Sequence, residues 1–85
     1  MKYYIGRIEE INGEFVYDCK FLFQTKGSPD KYMDKTAMQW RDRSKRDWDK
    51  EMRGYWCYGT IVREDGWREV SKEDFEVLAK YLTVM

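Results

Sequence analysis

Histidine is absent from this 85-residue chain, proline occurs once, and there are only two cysteines. Net charge is absent too, because sixteen Lys and Arg balance sixteen Asp and Glu. Without His the commonest general base and the commonest side-chain metal ligand are missing. Ser–His and Cys–His nucleophile pairs therefore cannot be assembled, and two Cys do not complete a Cys/His zinc site. A neutral chain is neither a bulk polycation for nucleic acid nor a polyanionic mimic of it. No apolar run approaches the ~18 residues of a membrane span, and Met1–Arg7 lacks the apolar core of a secretory signal. The expected setting is the cytoplasm, with Cys19 and Cys57 as free thiols buried in apolar strand-like runs. The six glycines are scattered, and none precedes the Lys-Ser/Thr of a phosphate-cradling loop. Glu9, Glu10 and Glu14 flank a turn, where solvated carboxylates are ordinary. Asp47, Asp49 and Glu51 alternate like the start of a calcium loop, but Met52 stands where that loop needs Gly. The sequence thus predicts no catalytic residue, no metal and no cofactor.

What the chain does have is rings: seven Tyr, four Phe and four Trp, 18% of the residues. A domain this small buries only roughly 60–65% of its unfolded surface, so some rings must remain exposed. Exposed aromatics are the usual anchors of binding surfaces.

Residues 2–24 read as a β-hairpin. Asn12-Gly13 suits a tight turn, and Phe15, Tyr17, Cys19, Phe21 and Phe23 alternate with a second set at period two. A two-residue turn at Asn12-Gly13 sets Phe21 opposite Tyr4 and Asp18 opposite Arg7. Ser28-Pro29 opens a helix over 29–41, with Ser as N-cap and Pro at the first helical position. Tyr32, Met33, Thr36, Ala37 and Trp40 form its buried stripe. Residues 42–53 are nearly all charged and are expected to be partly helical, Ser44 capping a turn that carries Trp48 and Met52. A second hairpin spans 55–70, with Asp65-Gly66 at its turn, by way of either a two-residue loop or a three-residue loop with a bulge. Ser71 then caps a helix over 72–83, and Phe75, Leu78, Ala79 and Leu82 share one face. The order ββαββα predicts a single α+β domain of two layers, a four-stranded antiparallel sheet with both helices on one face. The other face is left in water, with Ile5, Val16 and Leu22 as an exposed apolar strip.

The central stretch is where function is expected. Residues 26–53 carry nine basic and six acidic groups, whereas both flanking stretches are net acidic. Arg41, Arg43, Lys45, Arg46, Trp48, Lys50, Arg53 and Tyr55 form the candidate partner-binding set, suited to a protein with an acidic surface. Trp48 is the expected exposed anchor, and Trp40, Trp56 and Trp67 the expected core indoles. Basic groups among indoles also suit nucleic acid, phosphates meeting Arg and Lys and bases stacking on Trp. Arg53-Gly54-Tyr55 matches the opening of an RNA-recognition strand, but Trp56, Cys57 and Tyr58 depart from it. An edge strand or the open sheet face is a possible homodimer surface. In size and in dense Tyr, Trp, Lys and Asp usage the chain resembles small phage-borne proteins, a class that includes stoichiometric inhibitors of bacterial defence such as anti-CRISPRs. That resemblance is compositional; it implies a non-enzymatic binder and transfers no residue roles.

Overall fold

A computed structural model describes residues 1–85. Strands β1 (Lys2–Asn12) and β2 (Phe15–Thr25) are followed by helix α1 (Pro29–Gln39) and a 3-10 turn (Lys45–Asp47). Strands β3 (Trp48–Asp49), β4 (Gly54–Cys57) and β5 (Thr60–Val70), helix α2 (Lys72–Leu78) and strand β6 (Thr83–Val84) complete the chain. The strands form one six-stranded sheet in the order β3-β4-β5-β1-β2-β6. All neighbours are antiparallel except β2 and β6, so the sheet is mixed rather than four-stranded and antiparallel. No helix is long and apolar enough to cross a membrane.

The first hairpin turns one residue later than its Asn-Gly pair suggests. Asn12 pairs with Phe15, leaving Gly13-Glu14 as the loop, and only Gly13 has positive φ (62°). Gly at the first central position is the requirement of a II′ turn, not of the I′ turn that Asn-Gly favours. The register moves by two residues: Phe21 faces Gly6, Phe23 faces Tyr4, and Arg7 faces Lys20 instead of Asp18. A shift of two preserves which face each side chain occupies.

The second half of the chain departs further. The reversal lies at Tyr58-Gly59, with Cys57 paired to Thr60, and both loop residues have positive φ (50° and 81°), as a I′ turn demands. Asp65-Gly66 is instead a bulge inside β5, where Ile8 pairs with Glu64 but Gly6 pairs with Trp67. Gly66 supplies the positive φ (98°). Tyr is an unusual residue for the left-handed region, which is why the sequence pointed to Asp-Gly. Tyr58→Asn is expected to raise stability by about 0.5–1 kcal/mol, read as a higher Tm, because Asn tolerates that backbone at lower cost.

The bulge decides the layering. One extra residue reverses the side-chain parity of the tail of β5. Trp67 therefore joins the face of Gly6 and Tyr4, where its Nε1–H donates to Asp30 of α1 at 2.6 Å. Val70 is turned to the opposite face with Tyr3. The chain enters α2 directly after Val70, and Phe75 meets the Tyr3 ring at 5.0 Å. α1 and α2 consequently lie on opposite faces of the sheet, not on one.

Under α1 the core joins Tyr4, Ile8, Phe21 and Phe23 with Met33, Ala37, Tyr55 and Val62. Each large side chain buried there contributes about 1.5–3 kcal/mol. The Ser28 hydroxyl accepts the Lys31 N–H and Pro29 opens the helix. On the far face Leu22 is fully buried beside β6, so it does not belong to an exposed strip, whereas Val16 is exposed. α2 closes at Ala79, short of residue 83. The chain then turns, and Thr83-Val84 add to the outer edge of β2, with the Met85 N–H donating to the Leu22 carbonyl at 2.8 Å. β-branched residues next to an unpaired edge outcompete another helical turn.

Candidate functional site

Residues 42–53 are not an open loop and are helical only in the 3-10 turn Lys45–Asp47, which Ser44 caps as expected. The 3-10 turn is closed by Asp47, whose carboxylate accepts the Ser44 N–H at 2.9 Å. Asp49 accepts the Glu51 and Met52 N–H groups at 2.9 and 3.1 Å and so builds the turn between β3 and β4. Arg53 closes that turn with φ 56°. Trp48 and Met52 thus lie on a strand and a turn, not on one helical face.

This geometry divides the eight sequence-derived candidates. Arg41 stays at the surface but is paired: Nε and Nη2 each donate to Glu10 at 2.9 Å, a two-point grip on a carboxylate that is 9% exposed. That pairing raises the Arg41 pKa, first through the hydrogen bond and then through the charge of Glu10. Arg43 is half-buried; it donates to the carbonyls of Arg41 (2.9 Å), Cys57 (3.4 Å) and Thr60 (3.5 Å), and ties the β4–β5 hairpin to the end of α1. Tyr55 is buried, and its hydroxyl donates to Asp34 at 2.8 Å. Lys45, Arg46, Trp48, Lys50 and Arg53 remain exposed.

The Tyr55 phenol is pushed up to about 12, by burial first and by the Asp34 carboxylate second. Its ordinary value is near 10. Because the folded value is the higher one, this contribution to stability is complete below pH 10 and is lost as pH rises to 12. A loss of order 1–2 kcal/mol is expected across that window. In Tyr55→Phe the fall should be correspondingly shallower, against a uniform cost of about 1 kcal/mol for the missing hydrogen bond. Urea titrations of both proteins from pH 9 to pH 12 read this difference.

Around Trp48 the surface is hollow. Asp34, Lys35 and Met38 of α1 face Lys45, Trp48 and Tyr55 across a groove of about 640 Å³. The Trp48 indole stands edge-on to the Tyr55 ring at 5.1 Å and is 44% exposed. Met38 and Trp48 supply apolar lining, Lys35 and Lys45 cationic charge, and the Asp34 carboxylate already accepts the hydrogen bond of the Tyr55 hydroxyl. Asp34, Lys35 and Met38 were not among the sequence-derived candidates. Their signal was nonetheless present: positions i, i+1 and i+4 form a strip beside the core stripe of α1, with an unexplained Met in it.

Other surfaces differ in character. Trp56 and Trp67 are 49% and 39% exposed, so neither is a core indole, and Trp40 is half-buried against Phe21. Cys19 is exposed rather than buried and Cys57 is half-buried; both are free thiols. Glu9, Asp18 and Asp65 bring carboxylate oxygens within 4.8 Å of one another on the far face. Arg63 donates to Glu9 at 3.0 and 2.7 Å, and Arg7 Nε donates to Asp65 at 2.8 Å. The Asp65 hydrogen bond is the main cause of a raised Arg7 pKa. Two arginines thus meet two of the three carboxylates and tie β1 to β5, while Asp18 keeps no ion pair.

No protein-family model, curated protein or solved structure matches this chain.

Proposed function

We propose that the protein is a non-enzymatic binding module that docks an acidic protein segment in the groove between α1 and β3. The observation that carries this reading is the half-exposed Trp48 indole across the groove from Met38, with Lys35 and Lys45 also lining it. An indole in such a setting gives a large apolar contact at a low cost in side-chain entropy. The lysines favour carboxylates flanking the apolar anchor, and Arg46 and Lys50 extend the same charge along the surface. The partner inserts a bulky apolar side chain between Met38 and Trp48 and sets Asp or Glu residues against the lysines. The resemblance in composition to small phage-borne inhibitors fits a stoichiometric mode of action, in which occupying a host protein is the whole effect.

Nucleic acid is the weaker reading because Arg41 and Arg43 are engaged within the fold. Of the basic cluster 41–46, only Lys45 and Arg46 remain free to meet phosphates.

Selection of a random peptide library on the immobilised protein tests the proposal. Enriched peptides should carry acidic residues around one aromatic or branched aliphatic anchor. Trp48→Ala should weaken them at least about tenfold, while lowering stability by no more than about 1 kcal/mol, since the ring is already half in water. Enrichment of basic peptides, or binding indifferent to Trp48→Ala, would refute it. Affinity for single-stranded DNA that falls steeply with salt would favour the nucleic-acid reading instead.

A further inference from the structure

The outer edge of β2 is only partly covered. β6 pairs with Phe21 and Leu22 alone, so residues 15–20 form a free strand edge. In a two-residue hairpin the pair flanking the turn is hydrogen-bonded. Phe15, Tyr17 and Cys19 therefore point their backbone groups at β1, and Val16, Asp18 and Lys20 point theirs outward. The Leu22 carbonyl, which accepts from Met85, follows the same alternation. Phe15 and Tyr17 are 66% and 57% exposed, with their rings stacked at 6.4 Å. Natural folds usually blunt an edge of this kind.

We infer that this edge pairs antiparallel with β2 of a second copy of the chain, about a two-fold axis at Tyr17. The register follows by elimination. Two-fold symmetry across a continuous sheet requires facing residues to share a face, so the axis must fall on a residue. An axis at Asp18 sets two Asp18 carboxylates against each other. One at Cys19 calls on the Leu22 carbonyl, which Met85 already occupies. One at Val16 sets Glu14 against Asp18. An axis at Tyr17 sets Phe15 against Cys19 twice and Val16 against Asp18 twice, and brings Glu14, the turn residue just before β2, toward Lys20 twice. Glu14, Asp18 and Lys20 make no ion pair within the chain, so the charges are available. Val16 and Asp18 then exchange their outward backbone hydrogen bonds with the partner. The exposed Phe15, Tyr17 and Cys19 side chains gather into one apolar patch around the axis. β6 of the partner, which pairs with Phe21 and Leu22, falls in line with β2 level with Gly13 and Asn12, where the hairpin has turned toward β1.

Light scattering across about 5–500 µM protein tests this, since a homodimer is populated by mass action. The 10.5 kDa mass should double with rising concentration. Glu14→Lys and Lys20→Glu each place two like-charge pairs in the interface and should weaken dimerisation about tenfold or more. The double swap should restore it to within about threefold. Asp18→Pro removes an outward N–H without touching the β1–β2 ladder and should abolish the dimer while leaving the circular dichroism spectrum unchanged. A mass that stays at one chain throughout, or a dimer indifferent to the single charge reversals, overturns the inference. Neither outcome bears on the Trp48 groove, which lies at the other end of the strand order.

Discussion

Gly6→Val is expected to be among the most destabilising single changes in this protein. Gly6 sits in the middle of β1, on the face under α1. A Cβ placed there would lie 2.6 Å from Met33 Sδ and 3.0 Å from Phe23 Cε1. Met33 and Phe23 are both fully buried, so the flexible Met33 thioether has to repack among filled neighbours to make room. Overpacking a filled core costs about 1–3 kcal/mol and sometimes more, and the branched side chain of Val doubles the intrusion. A domain of this length holds only about 4–13 kcal/mol in total, so loss of a third or more of the urea midpoint is the expected reading. A double-mutant cycle locates the cause. Gly6→Ala and Met33→Ala should each destabilise, the second by about 2–5 kcal/mol. Together they should cost at least about 1 kcal/mol less than their sum, because the new methyl enters the space the thioether leaves. Strict additivity would mean that the close approach of α1 to β1 is not what Gly6 permits.

Phe23→Ala should cost about 3–5 kcal/mol. The ring lies parallel to Tyr32 at 4.3 Å and to Tyr4 at 5.1 Å, and meets Phe21 at 5.8 Å. It is the ring through which β2, β1 and α1 touch, and its removal opens a void among aromatics too stiff to close it. Phe15→Ala, on the same strand and the same face, should change dilute-solution stability by no more than about 0.5 kcal/mol, since that ring is mostly in water. Denaturation of the two variants side by side reads the contrast directly. Similar costs for both would show that the whole strand, not its inner half, carries the core.

That contrast also marks a limit of period-two reading. The alternation Phe15, Tyr17, Cys19, Phe21, Phe23 is regular, and it places all five side chains on one face. It does not say how far along the strand the opposing helix reaches. α1 is eleven residues long, about 16 Å at 1.5 Å per residue, whereas β2 spans eleven residues at about 3.4 Å each. The helix covers less than half the strand, and the remaining aromatic stripe becomes surface. The candidate site was legible to a similar degree. Trp48 and the lysines beside it stand out in the sequence, but Arg41 and Arg43 look identical to them on the page. Only the approach of Glu10 and of the hairpin carbonyls, between 14 and 31 residues away in sequence, engages those two within the fold.

The local elements were fixed by chemistry that acts over a few residues. Ser28-Pro29 and Ser71 start helices because a hydroxyl and a pyrrolidine meet the needs of a first turn wherever they occur. A glycine at position 13 reverses the first hairpin because its backbone tolerates positive φ. The tertiary structure decided everything that depends on parity and competition. One additional residue at Asp65-Gly66 changes the side to which Val70 points, and with it the face on which α2 lands. A free edge on β2 turns Thr83-Val84 from the end of a helix into a sixth strand. The bulge takes effect only through the register of β5 on β1, and the sixth strand only through the edge of β2, so each outcome is settled by a partner strand many positions away.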